Sequence, residues 1–217
     1  MRGYGGDVGD NIEKTASAVP DEGGIDRRIE EARVYEPQQA SDAGQMSKAE
    51  LAKIEQFKHE FGNQEGADHV ILDAEEGTGK DRIGALHQMG VAQELDGQVA
   101  RFEDPIHPIE DGQPAARANH VDIVTTDGYA VECKATGKPE TYPSQLKQDA
   151  FEQATTRLAP NSEAKQYKGV AVVFEDGKLQ GNMRSVADQL EAQQPGVRFC
   201  EKSQVKQVLE EMRKGKA

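Results

Sequence analysis

The stretch from His120 to Ala135, His-Val-Asp-Ile-Val-Thr-Thr-Asp-Gly-Tyr-Ala-Val-Glu-Cys-Lys-Ala, leaves a folding chain few choices. Two runs rich in β-branched and aromatic residues, 120–125 and 129–135, flank Thr126-Asp127-Gly128, the composition of two strands joined by a tight turn. The length of the turn decides which residues face each other. A two-residue turn at Asp127-Gly128 sets Asp122 opposite Cys133. A three-residue loop, Thr126 to Gly128, is a type I turn followed by a left-handed residue, the place where glycine belongs. It pairs Asp122 with Glu132. The same register sets Val121 and Ile123 opposite Cys133 and Val131, an apolar reverse face. Side chains alternate along a strand, so Asp122, Glu132 and Lys134 then share one face and Cys133 points to the other.

Two carboxylates opposed across a hairpin repel each other unless a cation or a proton lies between them. Hard oxygen ligands of this kind suit Mg²⁺ or Mn²⁺. A lysine beside them balances charge, orients or deprotonates an attacking water, and stabilises the transition state of phosphodiester hydrolysis. Asp122, Glu132 and Lys134 are therefore the expected catalytic residues.

Hydrophobic periodicity surrounds the hairpin with further elements. Asp81–Leu95 reads as a helix with Ile83, Leu86, Met89, Gly90 and Leu95 near one face, and Gln98–Phe102 as a short strand. Asp104–Ala118, with three prolines, reads as a loop. Ser144–Leu158 is an expected helix striped by Leu146, Ala150, Phe151, Ala154 and Leu158. Gly169–Phe174 is an apolar run typical of a buried strand. Met183–Gln193, Val197–Cys200 and Ser203–Arg213 follow as helix, strand and helix. The order α-β-β-β-α-β-α-β-α predicts an α/β domain, a mixed central sheet flanked by helices.

This order, with an acidic residue on the second strand and Glu132-Cys133-Lys134 on the third, resembles the PD-(D/E)XK nuclease superfamily. The resemblance covers about Asp81 to Phe174. It implies a restriction-endonuclease-like core in which Asp122 and Glu132 bind Mg²⁺ or Mn²⁺, with the Cys133 carbonyl as a further ligand. The proline of the family name is absent, since Val121 precedes the aspartate. A polar residue on the helix after the hairpin often reaches the site in this family, which singles out Lys147 and Gln148. An acidic residue on the helix before it does so in some relatives, and here Asp81 and Glu94 are alternatives. His120 would share the face of Asp122, but an isolated histidine is more often a surface residue.

Before Asp81 the chain changes character. Residues 1–45 are rich in Gly, Asp, Glu, Gln and Pro and read as a polar, partly helical arm or linker. Residues 46–78 read as a small helical segment. In it Ser47 and Glu50 form a capping box, and Leu51, Ile54, Phe57 and Phe61 make one stripe. Residues 79–217 are the expected nuclease-like domain. Glu76-Gly77-Thr78-Gly79-Lys80-Asp81 is not a phosphate-binding loop, because Ala74 and Asp81 stand where that motif needs Gly and Ser or Thr.

The net charge of −13 argues against nucleic acid until its distribution is considered. Residues 1–110 hold 24 acidic and 11 basic side chains, so of the 39 acidic and 26 basic in all, 15 of each remain for residues 111–217. The second half is neutral. Two cysteines without metal-ligand spacing make a zinc site unexpected. No run of 18 apolar residues exists to span a membrane. The expected partner is DNA or tRNA. The layout also resembles toxin modules at the C-terminal ends of delivered effectors, acting in the cytoplasm and countered by a cognate immunity protein. The alternatives are an acidic protein mimicking nucleic acid and an inactive nuclease-fold structural protein.

Overall fold

The computed structural model describes residues 46–135 and 146–215, with the backbone alone for 147–149. The expected arm, 1–45, lies outside the described residues, and so do the side chains of Lys147 and Gln148. Helix α1 (Lys48–Phe61) begins with the expected capping box. The Ser47 hydroxyl accepts from the Glu50 N–H at 3.2 Å, and the Glu50 carboxylate accepts from the Ser47 N–H at 2.7 Å. Its stripe meets the core from Ile54 onward, while Leu51 stays 44% exposed. Three consecutive apolar residues, Val70, Ile71 and Leu72, lie inside a second helix, α2 (Ala67–Glu75). Helix α3 (Lys80–Leu95) is buried almost all round from Ala85 to Ala92, whereas Ile83, expected on its inner face, is 44% exposed.

A five-stranded mixed sheet follows, in the order β1 (Val99–Ile106), β4 (Asn119–Thr125), β5 (Ala130–Lys134), β6 (Val170–Phe174) and β7 (Val197–Glu201). The first two pairings are antiparallel and the last two parallel. β1 runs on through Pro105 and Ile106, which the sequence assigns to a loop. A proline without an N–H is tolerated there because β1 is an edge strand. A two-stranded hairpin, β2 (Ile109–Glu110) and β3 (Gln113–Pro114), turns at Asp111-Gly112, both with positive φ. Between β5 and β6 a π-helical turn (Leu146–Phe151) leads into α4 (Glu152–Leu158). Helices α5 (Asn182–Gln193) and α6 (Val205–Arg213) flank β7 in sequence.

Each face of the sheet carries its own core. On one side α1, α2, α3 and α6 cover Phe102, Ile123, Val131, Ala171 and Val173. On the other the π turn, α4 and α5 cover Ile106, Val121, Val124, Ala130, Val170 and Val172. Residues 46–78, read from the sequence as a separate segment, thus belong to the same core as the sheet. Phe57 and Phe61 stack edge-on against Phe102 of β1, with ring centroids 5.2 and 5.8 Å away. The outer edge of β1 is closed by the α1–α2 connection, where the Phe102 N–H donates to the Glu65 carbonyl at 2.8 Å. Gly66, at φ +79°, lies so near the Phe102 carbonyl that a Cβ would stand 2.1 Å from its oxygen, so only glycine fits.

One expectation for the faces fails. Val121 and Ile123, two apart on β4, should share a side, yet Ile123 packs under α3 and Val121 on the opposite core. The partner strand crosses over at the same level: Phe102 packs with Ile123, and Ile106 with Val121. The residue between Phe102 and Asp104 is Glu103, at φ +47°, a left-handed kink that breaks the alternation. Asp104 holds the far side of the kink. Buried to 3% exposure, it accepts from Tyr167 Oη at 2.5 Å, Lys165 Nζ at 2.6 Å and Arg101 Nη2 at 3.0 Å.

Burial alone would raise the Asp104 carboxyl, but these three donors hold it below the usual carboxylate range. A depressed folded-state value means that its stabilisation is complete above the unfolded value, near about 3.9, and is lost as pH falls through the folded value. Asp104→Asn should cost about 2–3 kcal/mol near neutral pH. The gap between variant and parent should close below about pH 4 in urea unfolding midpoints, and a gap independent of pH would contradict the assignment.

Candidate active site

The hairpin forms with the three-residue loop. The Thr125 N–H donates to the Tyr129 carbonyl at 2.9 Å, and Gly128 takes φ +88°. Pairing continues through Val124 with Ala130 and Ile123 with Val131, and the next pair in this register is Asp122 with Glu132. There the two strands part. The Cys133 N–H, which a continued ladder would direct to the Val121 carbonyl, instead donates to Asp122 Oδ2 at 2.5 Å. A side-chain carboxylate has replaced a main-chain acceptor, and the sheet opens into a small mouth. The N–H and C=O of one strand residue point to the same edge, so the Cys133 carbonyl also faces this mouth.

Glu132 turns toward α4 and is only 1% exposed. Arg157, buried in the last turn of α4, donates to it through Nε at 2.6 Å and Nη2 at 3.4 Å. The same Nη2 donates to the His120 carbonyl at 2.7 Å, tying β4, β5 and α4 together. Lys134, two residues on, lies 4.0 Å from Glu132 Oε2 and donates to Gln153 Oε1 of α4 at 2.6 Å. Gln153 and Arg157, four apart, share one side of α4 and hold the two strand residues from it.

The opposite lip of the mouth comes from β1 and α3. Gln88, in the buried stretch of α3, donates through Nε2 to Glu103 Oε1 at 2.9 Å and to the Asp122 carbonyl at 2.7 Å. The kink at Glu103 aims its carboxylate at the site. Burial pushes the Asp122 carboxyl well above its usual value, and the negative charges of Glu132 and Glu103 push it further. Burial likewise raises Glu103. The Cys133 thiol is raised by burial, then by Asp122 and Glu132, which makes it a poor thiolate. Among the described residues, the hydrogen-bond donors to Asp122 and Glu103 are a backbone N–H and an amide, with no cation bonded to either carboxylate.

The expected trio, Asp122, Glu132 and Lys134, is therefore gathered at one place. Asp81 and Glu94 are not: both are exposed and lie along α3 away from the position that reaches the site, which is Gln88. His120 contributes its carbonyl, not its imidazole. Sequence reasoning missed Gln88, Glu103, Gln153 and Arg157. Two of them carried a signal. Gln88 is an amide inside the otherwise apolar run of a buried helix, and Gln153 with Arg157 forms a polar i, i+4 pair beside the apolar stripe of α4.

No three His, Cys, Asp or Glu side chains among the described residues are grouped closely enough to make a metal site unaided. The chain matches no protein-family model, no curated protein and no solved structure.

Removing one member of a buried ion pair leaves the other uncompensated, so Arg157→Ala should destabilise the fold by about 3–5 kcal/mol. In a Glu132→Gln background the same change should cost clearly less. Urea unfolding of the four proteins reads this coupling, and an equal cost in both backgrounds would show that Arg157 does not act through Glu132.

Proposed function

We propose that this chain is a metal-dependent nuclease with a restriction-endonuclease-like core, hydrolysing phosphodiester bonds in DNA or RNA. One observation carries the reading: two partly buried carboxylates, Asp122 of β4 and Glu103 of β1, lie near each other without a bonded cation, and the Lys134 ammonium is near enough to Asp122 to favour its charged form. Partly buried negative charges that repel one another favour a cation between them. The order α3-β1-β4-β5-α4-β6, with the acidic strand and the Glu132-Cys133-Lys134 strand adjacent, supports the finer description of the fold.

The residues fit Mg²⁺ or Mn²⁺ in kind. Mg²⁺ is bound by one or two carboxylates and keeps several waters, so a preformed cage of three side chains is not required. Asp122 and Glu103 supply hard oxygens, the Cys133 carbonyl adds another, and Glu132 stands beside them. When bound, the ion supplies positive charge for the developing oxyanion and acidifies water. The protein does the rest. The Cys133 N–H holds one oxygen of Asp122 and leaves the other without a hydrogen bond among the described residues. Gln88 does the same for Glu103. Arg157 holds the Glu132 carboxylate in place, and Gln153 orients the Lys134 ammonium. Lys134 then donates to a non-bridging phosphate oxygen and positions the attacking water, stabilising charge that appears only in the transition state.

If the chain is the C-terminal module of a delivered toxin, its natural partner is an immunity protein that covers this mouth. A second reading is favoured by the Arg157 clamp itself: a carboxylate already neutralised has less need of a metal, as in a nuclease fold retained for structure. Purified protein should cut plasmid DNA or tRNA with Mg²⁺ and not with EDTA. Lys134→Ala and Asp122→Asn should each lower the rate by at least about 10²-fold. Absence of cleavage of either substrate by a folded protein would favour the second reading.

A further inference from the structure

A second group of charges lies across the edge of the sheet from the carboxylate mouth. Lys53 of α1 reaches over Gly90 of α3, so closely that a Cβ on Gly90 would stand 2.8 Å from Lys53 Nζ and 3.4 Å from Lys202 Cδ. Two ammonium side chains thus converge on one glycine. Lys53 is partly buried and has neither a hydrogen bond nor an ion pair among the described residues. Lys202, the first residue after β7, has its nearest carboxylate, Asp176, at 4.0 Å. The Asp176 carboxylate also accepts the Ser203 N–H at 2.9 Å. Glu175, the residue after β6, is the other acidic neighbour. His87, one turn before Gly90 on α3, is spent in structure, its Nε2–H donating to the Val173 carbonyl at 3.0 Å. Burial and the neighbouring Lys202 both disfavour the charged form of Lys53. Crowded, poorly neutralised ammonium groups favour an anion between them.

Their position indicates which anion. β5, β6 and β7 are parallel, so their carboxyl ends lie along one edge of the sheet, the edge where open α/β sheets take ligands. Lys134 ends β5 and Lys202 follows β7. With strands about 4.8 Å apart, the two strand ends are about 10 Å apart, with Lys134 leaning toward α4 on one face of the sheet and Lys53 over α3 on the other. A stacked nucleic-acid strand, rising about 3.4 Å per nucleotide, covers that distance in about three nucleotides. Resting on the nuclease reading above, we propose that Lys53 and Lys202 form a phosphate subsite. It holds the polynucleotide backbone at least about three nucleotides from the bond cut at the Asp122–Lys134 centre. Gly90 is the residue that gives the Lys53 ammonium its place.

The test is binding of a short fluorescent single-stranded oligonucleotide in EDTA, over a range of salt concentrations. Lys53→Gln/Lys202→Gln is compared with the charge-matched Lys48→Gln/Lys214→Gln, whose lysines are exposed elsewhere. The first pair should weaken binding about tenfold more than the second, and flatten the dependence of log Kd on log salt by about one. Equal affinities of the two double variants overturn the proposal. Gly90→Ala adds a better helix former and keeps the net charge, so it guards against loss of the fold. It should weaken binding severalfold, and wild-type affinity in that variant overturns the proposal as well. Because no cleavage occurs in EDTA, the two readings fail separately. Mg²⁺-dependent cleavage with equal affinities removes the subsite alone, whereas discrimination between the double variants without any cleavage removes the nuclease alone.

Discussion

A carboxylate at 1% exposure in the middle of a sheet has to be protonated or paired, and the pairing of Glu132 with Arg157 organises much of this molecule. The partner does not come from a neighbouring strand. It arrives from the far end of α4, and the phase of that helix must be right for it to arrive. The π turn at Leu146–Phe151 sets the phase: Leu146, Ala150 and Ala154 fall at steps of four onto the core, and Arg157 comes round to face β5. The guanidinium then has a donor to spare for the His120 carbonyl, so one side chain clamps three elements. Helix, hairpin and buried charge are held by the same bonds.

The opening of the sheet at Asp122 follows from a second competition. A strand residue usually leaves its N–H to the opposing carbonyl, and here a side-chain oxygen has taken the Cys133 N–H. The bond favours the ionised carboxylate, but offsets only in part its burial near two others. The kink at Glu103 answers it on the other side of β4. By turning β1 over between Phe102 and Asp104, it sends Asp104 into a fully bonded network and Glu103 into the mouth. Strain in a left-handed non-glycine residue is of order 1–3 kcal/mol, and such residues persist where their surroundings hold them. Asp104 with its three donors is that surrounding.

What the sequence made legible was local. The glycine at 128, the register of the pairs next to it and the Ser47–Glu50 box each depend on residues within one turn or one hairpin, and each appears as expected. So do the order of the main elements and the mixed sheet. What was hidden depended on distant partners. Arg157 is 25 residues from Glu132, and Glu103 reaches the site only because β1 turns over at a residue that is not glycine. Val121 changes sides for the same reason. Helix α2 escaped because its apolar residues, Val70-Ile71-Leu72, are consecutive and show no helical period. The separate status given to 46–78 failed on packing: nothing in its composition announces that Phe57 and Phe61 close on Phe102.

The acidity of the chain is the last point on which local and global descriptions part. A net charge of −13 describes the far field, and at physiological ionic strength that field is screened over about 8 Å. The carboxyl edge of the sheet from β5 to β7 is about that wide. In the proposed subsite, a phosphate would respond to Lys134, Lys53 and Lys202 in their immediate surroundings, not to the sum over the chain. That Lys53 belongs to the acidic half of the sequence makes the same point. Folding brings it over Gly90 and Lys202, so a division of charge along the chain does not describe the surface that a ligand meets.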